Sequence, residues 1–290
     1  MLSKEGCIKM KPISKPGKGH LQSFLKHLQE QEKSTNTIEK YQRDCQKFLA
    51  FCHGKSLTKE LVMNYKEQLK AEYRTASVNS MLAAVNHFLR YLRREDCRVQ
   101  PIKVQRRIFC DEKEELTKQE YQKLLQTAKK DGKRQLYLML QTICGTGIRV
   151  SELAHITVEA VKRGRAVVEC KNKQRVILIP EKLKVMLLQF IREKAVKRGA
   201  VFTDETGAPM NRTKIWRLMK RLSLAAGVDA SKVFPHNLRH LFARTFYAAQ
   251  HDIARLADLL GHSSIETTRI YMLTTFRECF DQVSRLGLIS

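Results

Sequence analysis

Apolar residues in the first hundred positions recur at intervals of three and four. Ile38, Tyr41, Cys45, Phe48, Leu49 and Cys52 form one such run, and Val78, Met81, Leu82, Val85, Phe88, Leu89 and Leu92 form another. That spacing marks helices that bury one face. Thr58 and Ser77 stand where N-caps belong, so helices are predicted near 59–70 and 78–93. A further helix is predicted near 20–32, and no alternating strand pattern interrupts the series. The reading is a small helical bundle over residues 20–97. Residues 1–19 are rich in Lys, Gly and Pro and read as a flexible basic arm. Residues 98–112 continue a charged stretch that breaks at Pro101, and they read as a linker.

From residue 113 onward the helical period returns. Helices are predicted near 117–130, 135–144, 149–156, 181–198, 211–226, 236–250, 252–260 and 264–272. One β signal interrupts them. AVVEC (166–170) and RVILI (175–179) are β-branched runs separated by Lys171-Asn172-Lys173-Gln174 and closed by Pro180, which predicts a hairpin. The expected fold class is mainly α: an N-terminal helical bundle followed by an α-rich domain over 113–290 with a small β-hairpin.

Charge narrows the partner. The chain of 290 residues carries a formal net charge of +25. The excess is divided almost equally between residues 1–109 and 110–290, so it is no mere tail. A folded chain this basic is built for a polyanion, and nucleic acid is the expected one. The eight cysteines include no C-x-x-C pair, several lie on apolar stripes, and the pattern fits a reducing cytosol. No run has the length of a signal peptide or a membrane span, so a cytoplasmic protein with no membrane partner is expected. No carboxylate or His/Cys grouping calls for a metal or a cofactor.

Three stretches can carry chemistry. In CGTGIRVSEL (144–153) a glycine turn is followed by Arg149 and Glu152 at helical spacing. In PHNLRHLFA (235–243) a proline opens a helix on which His236, Arg239 and His240 share a face. In LGHSSIETTRIYM (260–272) Gly261 closes one helix, His262 occupies the turn, Ser263 and Glu266 fit a capping box, and Tyr271 follows two turns later. Taken singly, each has a plain structural explanation: a surface Arg–Glu pair, a hydrogen-bonding His240, a half-buried tyrosine.

Their order, R…K…H-x-x-R…G-H…Y on a basic chain, resembles the tyrosine recombinase (phage integrase) family. STNTIEKYQRDCQKFLAF in the first bundle is similar to that family's SAM-like core-binding domain, and the likeness spans roughly residues 17–280. The resemblance implies that Arg149 and Arg239 bind phosphate, that His236 and His262 are active-site histidines, and that Tyr271 is the nucleophile. It also implies a hairpin lysine. Lys171 is preferred because it ends the first strand, with Lys173 the alternative. Residues 1–19 are too short for a separate arm-binding domain, which suggests the two-domain, Xer-like arrangement.

The implied activity is site-specific cleavage and rejoining of double-stranded DNA through a 3′-phosphotyrosyl intermediate. A homotetramer on two sites, with an accessory directionality protein as a further partner, would carry it out. The alternatives are an idle DNA-binding protein of the same fold and a type IB-like topoisomerase. DNA-reading candidates are Asn79, Asn86, Arg90 and Arg93 on helix 78–93, and Lys214 and Arg217 on helix 212–222. Phe276, Phe280, Val283 and Leu286 form a C-terminal apolar stripe suited to packing on its own domain or on a neighbour.

Overall fold

The computed structural model describes residues 13–104, 114–170, 173–272, 280 and 284–285. The chain divides into two compact units, residues 1–106 and 107–290. In the first, the predicted periodicity becomes α1 (Lys18–Glu30), α2 (Thr35–Cys52), α3 (Lys59–Glu72) and α4 (Thr75–Tyr91). Phe24, Phe48, Val62, Tyr65, Leu82 and Phe88 are buried at its centre. Burial of each such side chain stabilises the unit by about 1.5–3 kcal/mol. Thr58 caps α3 as predicted, accepting from the Leu61 amide at 3.1 Å. Ser77 does not cap α4. Its amide already bonds the Arg74 carbonyl at 2.8 Å, so the first turn forms upstream and Arg74 holds the N-cap position.

After a 3-10 turn (Glu95–Cys97) the chain runs back along α4 in extended form. Asn86 donates to the Val99 carbonyl at 2.8 Å and accepts from its amide at 3.0 Å. Asn79 treats Ile102 in the same way, at 2.9 and 2.7 Å. Lys66 adds a bond to the Gln100 carbonyl at 2.9 Å. Residues 98–102, expected to be linker, are therefore bound to the first unit.

The second unit is α-rich with one antiparallel hairpin. It comprises α5 (Lys118–Lys130), α6 (Arg134–Thr146), a 3-10 turn (Val150–His155), α7 (Val158–Arg163), β1 (Arg165–Cys170), β2 (Lys173–Leu178), α8 (Glu181–Glu193), α9 (Arg212–Ala225), α10 (Pro235–Gln250), α11 (Ile253–Leu260), α12 (Ile265–Arg269) and a last 3-10 turn (Ile270–Met272). The strands alternate as period two demands: Ala166, Val168 and Ile177 are buried, while Val167, Val176 and Leu178 face outward. α6 runs through Gly145, two residues past its predicted end. The Thr142 and Thr146 hydroxyls satisfy themselves on carbonyls one turn back, at 2.7 and 2.6 Å, so they do not break the helix. The short α7 was not predicted, α8 stops at Glu193, and Ser264 rather than Ser263 caps α12, accepting from the Glu266 amide.

One core gathers Leu140, Ile143, Leu153, Leu187, Ile215, Met219 and Leu238. A separate, smaller one holds Ala243, Leu256, Leu260 and Tyr271 against Phe242 and Phe246. α10 packs on α6 and α11, whose C-terminal ends are at Gly147 and Gly261. Among the described residues no helix is long and apolar enough to cross a membrane.

Candidate active site

Pro235 starts α10 at a position that needs no amide donor, and Arg239 follows one turn in, between Leu238 and Leu241. That register points a guanidinium into the protein, where Arg239 is only 1% exposed. Its Nη1 donates to the Gly147 carbonyl at 2.7 Å, and its Nη2 to the Leu260 carbonyl at 2.7 Å and to His262 Nε2 at 3.0 Å. The Tyr271 side chain also acts on the guanidinium, favouring its charged form. All of these acceptors are neutral, and among the described residues no carboxylate hydrogen-bonds this guanidinium. Burial first, and Arg149 second, make its proton less tightly held than usual, while Tyr271 and Glu152 work the other way. Guanidinium nevertheless keeps its charge in proteins. The result is a buried cation that no described carboxylate hydrogen-bonds and that Glu152 reaches only through space, an arrangement that favours an incoming anion.

The C-terminal end of α11 organises the rest. Its Leu260 carbonyl accepts from both Arg239 and Arg175, and the Gly261 carbonyl accepts from Arg149 Nη2 at 3.4 Å. The negative end of the helix dipole thus faces three guanidiniums. Among the described residues, Glu152, 6% exposed, is the carboxylate that lies between them. Its Oε1 accepts from Arg149 Nη1 at 2.9 Å, and its Oε2 accepts from Arg175 Nη2 at 2.7 Å and the Arg149 amide at 2.8 Å. Among the described residues, Arg149 and Arg175 both pair with this one carboxylate, and Arg239 hydrogen-bonds none.

The glycines are there for access. Gly261 has φ +64° and a Cβ on it would lie 2.4 Å from Arg175 Cδ. Gly147 has φ +64° and a Cβ on it would lie 2.4 Å from the Phe242 ring.

Tyr271 closes the cleft from within the same chain. It is 3% exposed, stacked on His262 with ring centroids 5.7 Å apart and planes 11° apart. His240 meets it edge-on at 4.4 Å, and His236 lies at 6.2 Å. His240 also packs edge-on against His236 at 4.6 Å, so ring packing replaces the hydrogen-bonding role expected for it. All three imidazoles are held neutral. Burial and then Arg239, Arg149, Arg175 and His236 pull His262 down to about 4. Burial, His236 and Arg239 do the same to His240, also to about 4. His236 is lowered by its packed surroundings, then by Arg239, Arg149 and Arg212, although its edge stays open to solvent.

The structure therefore brings Arg149, His236, Arg239, His262 and Tyr271 together. Lys171 lies outside the described residues, and Lys173 is described only as the first residue of β2. The stripe of Phe276, Val283 and Leu286 is also outside them, and Phe280 is described as exposed. Asn79 and Asn86 differ from expectation: their carboxamides are engaged with the backbone of Ile102 and Val99, and both side chains are half-buried. Lys214 forms an ion pair with Glu205. Arg90, Arg93 and Arg217 are exposed.

Two residues were missed, Arg175 and Thr268, and Glu152 was taken for a surface partner. Arg175 had a signal. It pairs opposite buried Val168 and shares the inward face with Ile177, so an arginine stood on the apolar face of a strand.

Residues 114–278 match the phage integrase family, and residues 21–96 match the phage integrase N-terminal SAM-like domain. The chain is 29% identical over 279 residues to the tyrosine recombinase XerA of Pyrococcus furiosus, covering 93% of this chain and 94% of that protein. It is 30% identical over 280 residues to the tyrosine recombinase XerC of Roseiflexus castenholzii, covering 87% of each. Among solved structures, a lambda integrase tetramer bound to a Holliday junction superposes with a TM-score of 0.72 at 19% identity, covering 87% of this chain and 76% of that one.

Proposed function

The chain belongs to the phage integrase family, and on that premise we propose that its arginine–tyrosine cleft cleaves and rejoins DNA as a tyrosine site-specific recombinase. The observation that carries the reading is the buried Arg239, which no carboxylate among the described residues hydrogen-bonds, beside the Tyr271-stacked His262 and neighboured by Arg149.

A phosphodiester repels nucleophiles, and its displacement places charge on the equatorial oxygens. Arg149 and Arg239 answer that charge with fixed, permanently protonated donors, each worth about 3 kcal/mol in barrier height. A phenol is a weak nucleophile near neutral pH because its pKa is about 10. His236, neutral in this site, is the base that takes its proton. Tyr271 oxygen bonds to phosphorus, the bond to the 5′ oxygen breaks, and that oxygen leaves with a proton from the hairpin lysine, Lys171 or Lys173. His262 turns toward the phosphate as a donor. The phosphotyrosine retains the energy of the diester, so attack by a second 5′ hydroxyl rejoins strands without ATP. Four protomers on two duplexes exchange strands, in keeping with the tetrameric assembly of the lambda integrase structure.

A duplex nicked next to the scissile phosphate tests this. The wild-type chain is expected to accumulate a covalent DNA adduct, and Tyr271→Phe to bind the same DNA without one. Binding without an adduct by the wild-type chain contradicts the reading, and relaxation of supercoils without exchange between two sites favours a topoisomerase.

A further inference from the structure

His262 has two ring nitrogens and both are engaged. Nε2 lies 3.0 Å from Arg239 Nη2, and Nδ1 lies 2.8 Å from Thr268 Oγ1. Arginine can only donate. Nε2 therefore accepts, and in a neutral imidazole the proton must then sit on Nδ1. Its acceptor is a hydroxyl that is fully buried on α12, with 0% exposure, six residues along the chain from the histidine. Thr268 belongs to neither the guanidinium cluster nor the set of residues that the proposed chemistry uses.

We infer that Thr268 is a positioning residue: its hydroxyl accepts the Nδ1 proton of His262 and, together with the Arg239 donor at Nε2, holds the ring in the Nδ1–H tautomer. This rests on the reading of His262 as a phosphate-facing group. It also carries a consequence for the step at which DNA arrives. A phosphate oxygen takes over Arg239 Nη2 and releases Nε2. With Nδ1–H still bonded to Thr268, Nε2 becomes a donor only by taking one proton from solvent. His262 then faces the phosphate as an imidazolium. The groups around it are Arg239 and His236 of α10, Arg149 before the 3-10 turn, Arg175 of β2 and the stacked Tyr271. In the free protein these surroundings hold it neutral. The monoanionic phosphodiester among them reverses the balance and permits the uptake.

Thr268→Val keeps the shape and removes the acceptor, and Thr268→Ser restores it. The full-length chain labelled with nitrogen-15 at histidine, with His262→Gln used to assign the signal, reports the tautomer directly. The wild-type and Thr268→Ser proteins are expected to show the Nδ1–H form, and Thr268→Val a population with the proton on Nε2. Adduct formation on the nicked duplex is expected to slow on the order of tenfold in Thr268→Val, the size of loss seen when the partner that orients a functional histidine is removed. It is also expected to lose its decline on the alkaline side, because the neutral Nε2–H form needs no proton uptake. An Nε2–H tautomer in the wild-type chain overturns the inference. So does a Thr268→Val protein with unchanged tautomer and pH profile. Unimpaired adduct formation by His262→Gln would instead remove His262 from the phosphate, while leaving the tautomer result standing.

Discussion

Two regions of this protein use arginine or asparagine to bind backbone, and they end in opposite states. Along α4, Asn79 and Asn86 each meet one carbonyl and one amide of the extended segment, so every partner is neutral and every bond is returned. Nothing is left over, and the region is closed. At the end of α11, Arg239, Arg175 and Arg149 also bind carbonyls, yet each carries a charge that a carbonyl cannot cancel. Among the described residues, Glu152 is the carboxylate that pairs with Arg149 and Arg175. A count of hydrogen bonds does not separate the two regions; residual charge does. Polar side chains that are satisfied and neutral hold structure, and polar side chains that are satisfied but still charged wait for a ligand.

The contrast can be broken from its open side first. Tyr271→Phe is expected to abolish the covalent adduct while DNA binding stays within a few fold, measured by denaturing gel and by titration. Arg239→Lys keeps the charge and loses the fork. It should slow single-turnover cleavage by about 100- to 1000-fold, the usual cost of removing a fixed donor to a developing oxyanion. An Arg239→Lys protein that cleaves at the wild-type rate would mean that charge alone suffices. Gly261→Ala tests the access that the carbonyls need. A left-handed φ costs a non-glycine residue about 1–2 kcal/mol, and the added methyl also displaces Arg175, so thermal stability and cleavage should fall together.

On the closed side, Asn79→Ala and Asn86→Ala should each cost about 1–3 kcal/mol by leaving backbone groups unpaired, and amide exchange at Val99 and Ile102 should quicken. Base preference is expected to stay as it is. A changed base preference would return these residues to the DNA face. The smallest effect concerns pH. His240 and His262 both titrate at about 4 when folded, below the unfolded value of about 6.5. Between those values the unfolded chain binds more protons. Stability is therefore complete above about pH 6.5 and declines toward pH 4. His240→Asn should flatten that decline in a series of melting curves.

Much of this was legible beforehand for a physical reason. Helix faces announce themselves through the spacing of buried residues, so α2, α3 and α9 fall close to where periodicity puts them. Arg149, Arg239 and Tyr271 stood out because glycine turns and a proline start framed them, and their order resembled a known family. Asn79 and Asn86 were misread because periodicity identifies a polar helix position without identifying what covers it. Their partners, Val99 and Ile102, lie in a charged stretch that has no regular pattern. Thr268 was invisible for a related reason: a buried threonine beside a histidine has meaning only once the tautomer is fixed by Arg239. Arg175 was legible in part, as a charge on the inward face of a strand, but its partners at Glu152 and Leu260 come from distant positions.

The central claim is that one chain supplies both the buried Arg239 and the tyrosine stacked on the histidine that Arg239 bonds. Mixing Tyr271→Phe protein with Arg239→Ala protein on a nicked duplex tests that claim most directly. Each partner lacks one half of the site, so a cleft assembled within one chain should yield no covalent adduct in the mixture. An adduct restored by mixing, carried on the Tyr271 of the Arg239→Ala protein, would show that the tyrosine serves a neighbour's arginines and would contradict the account.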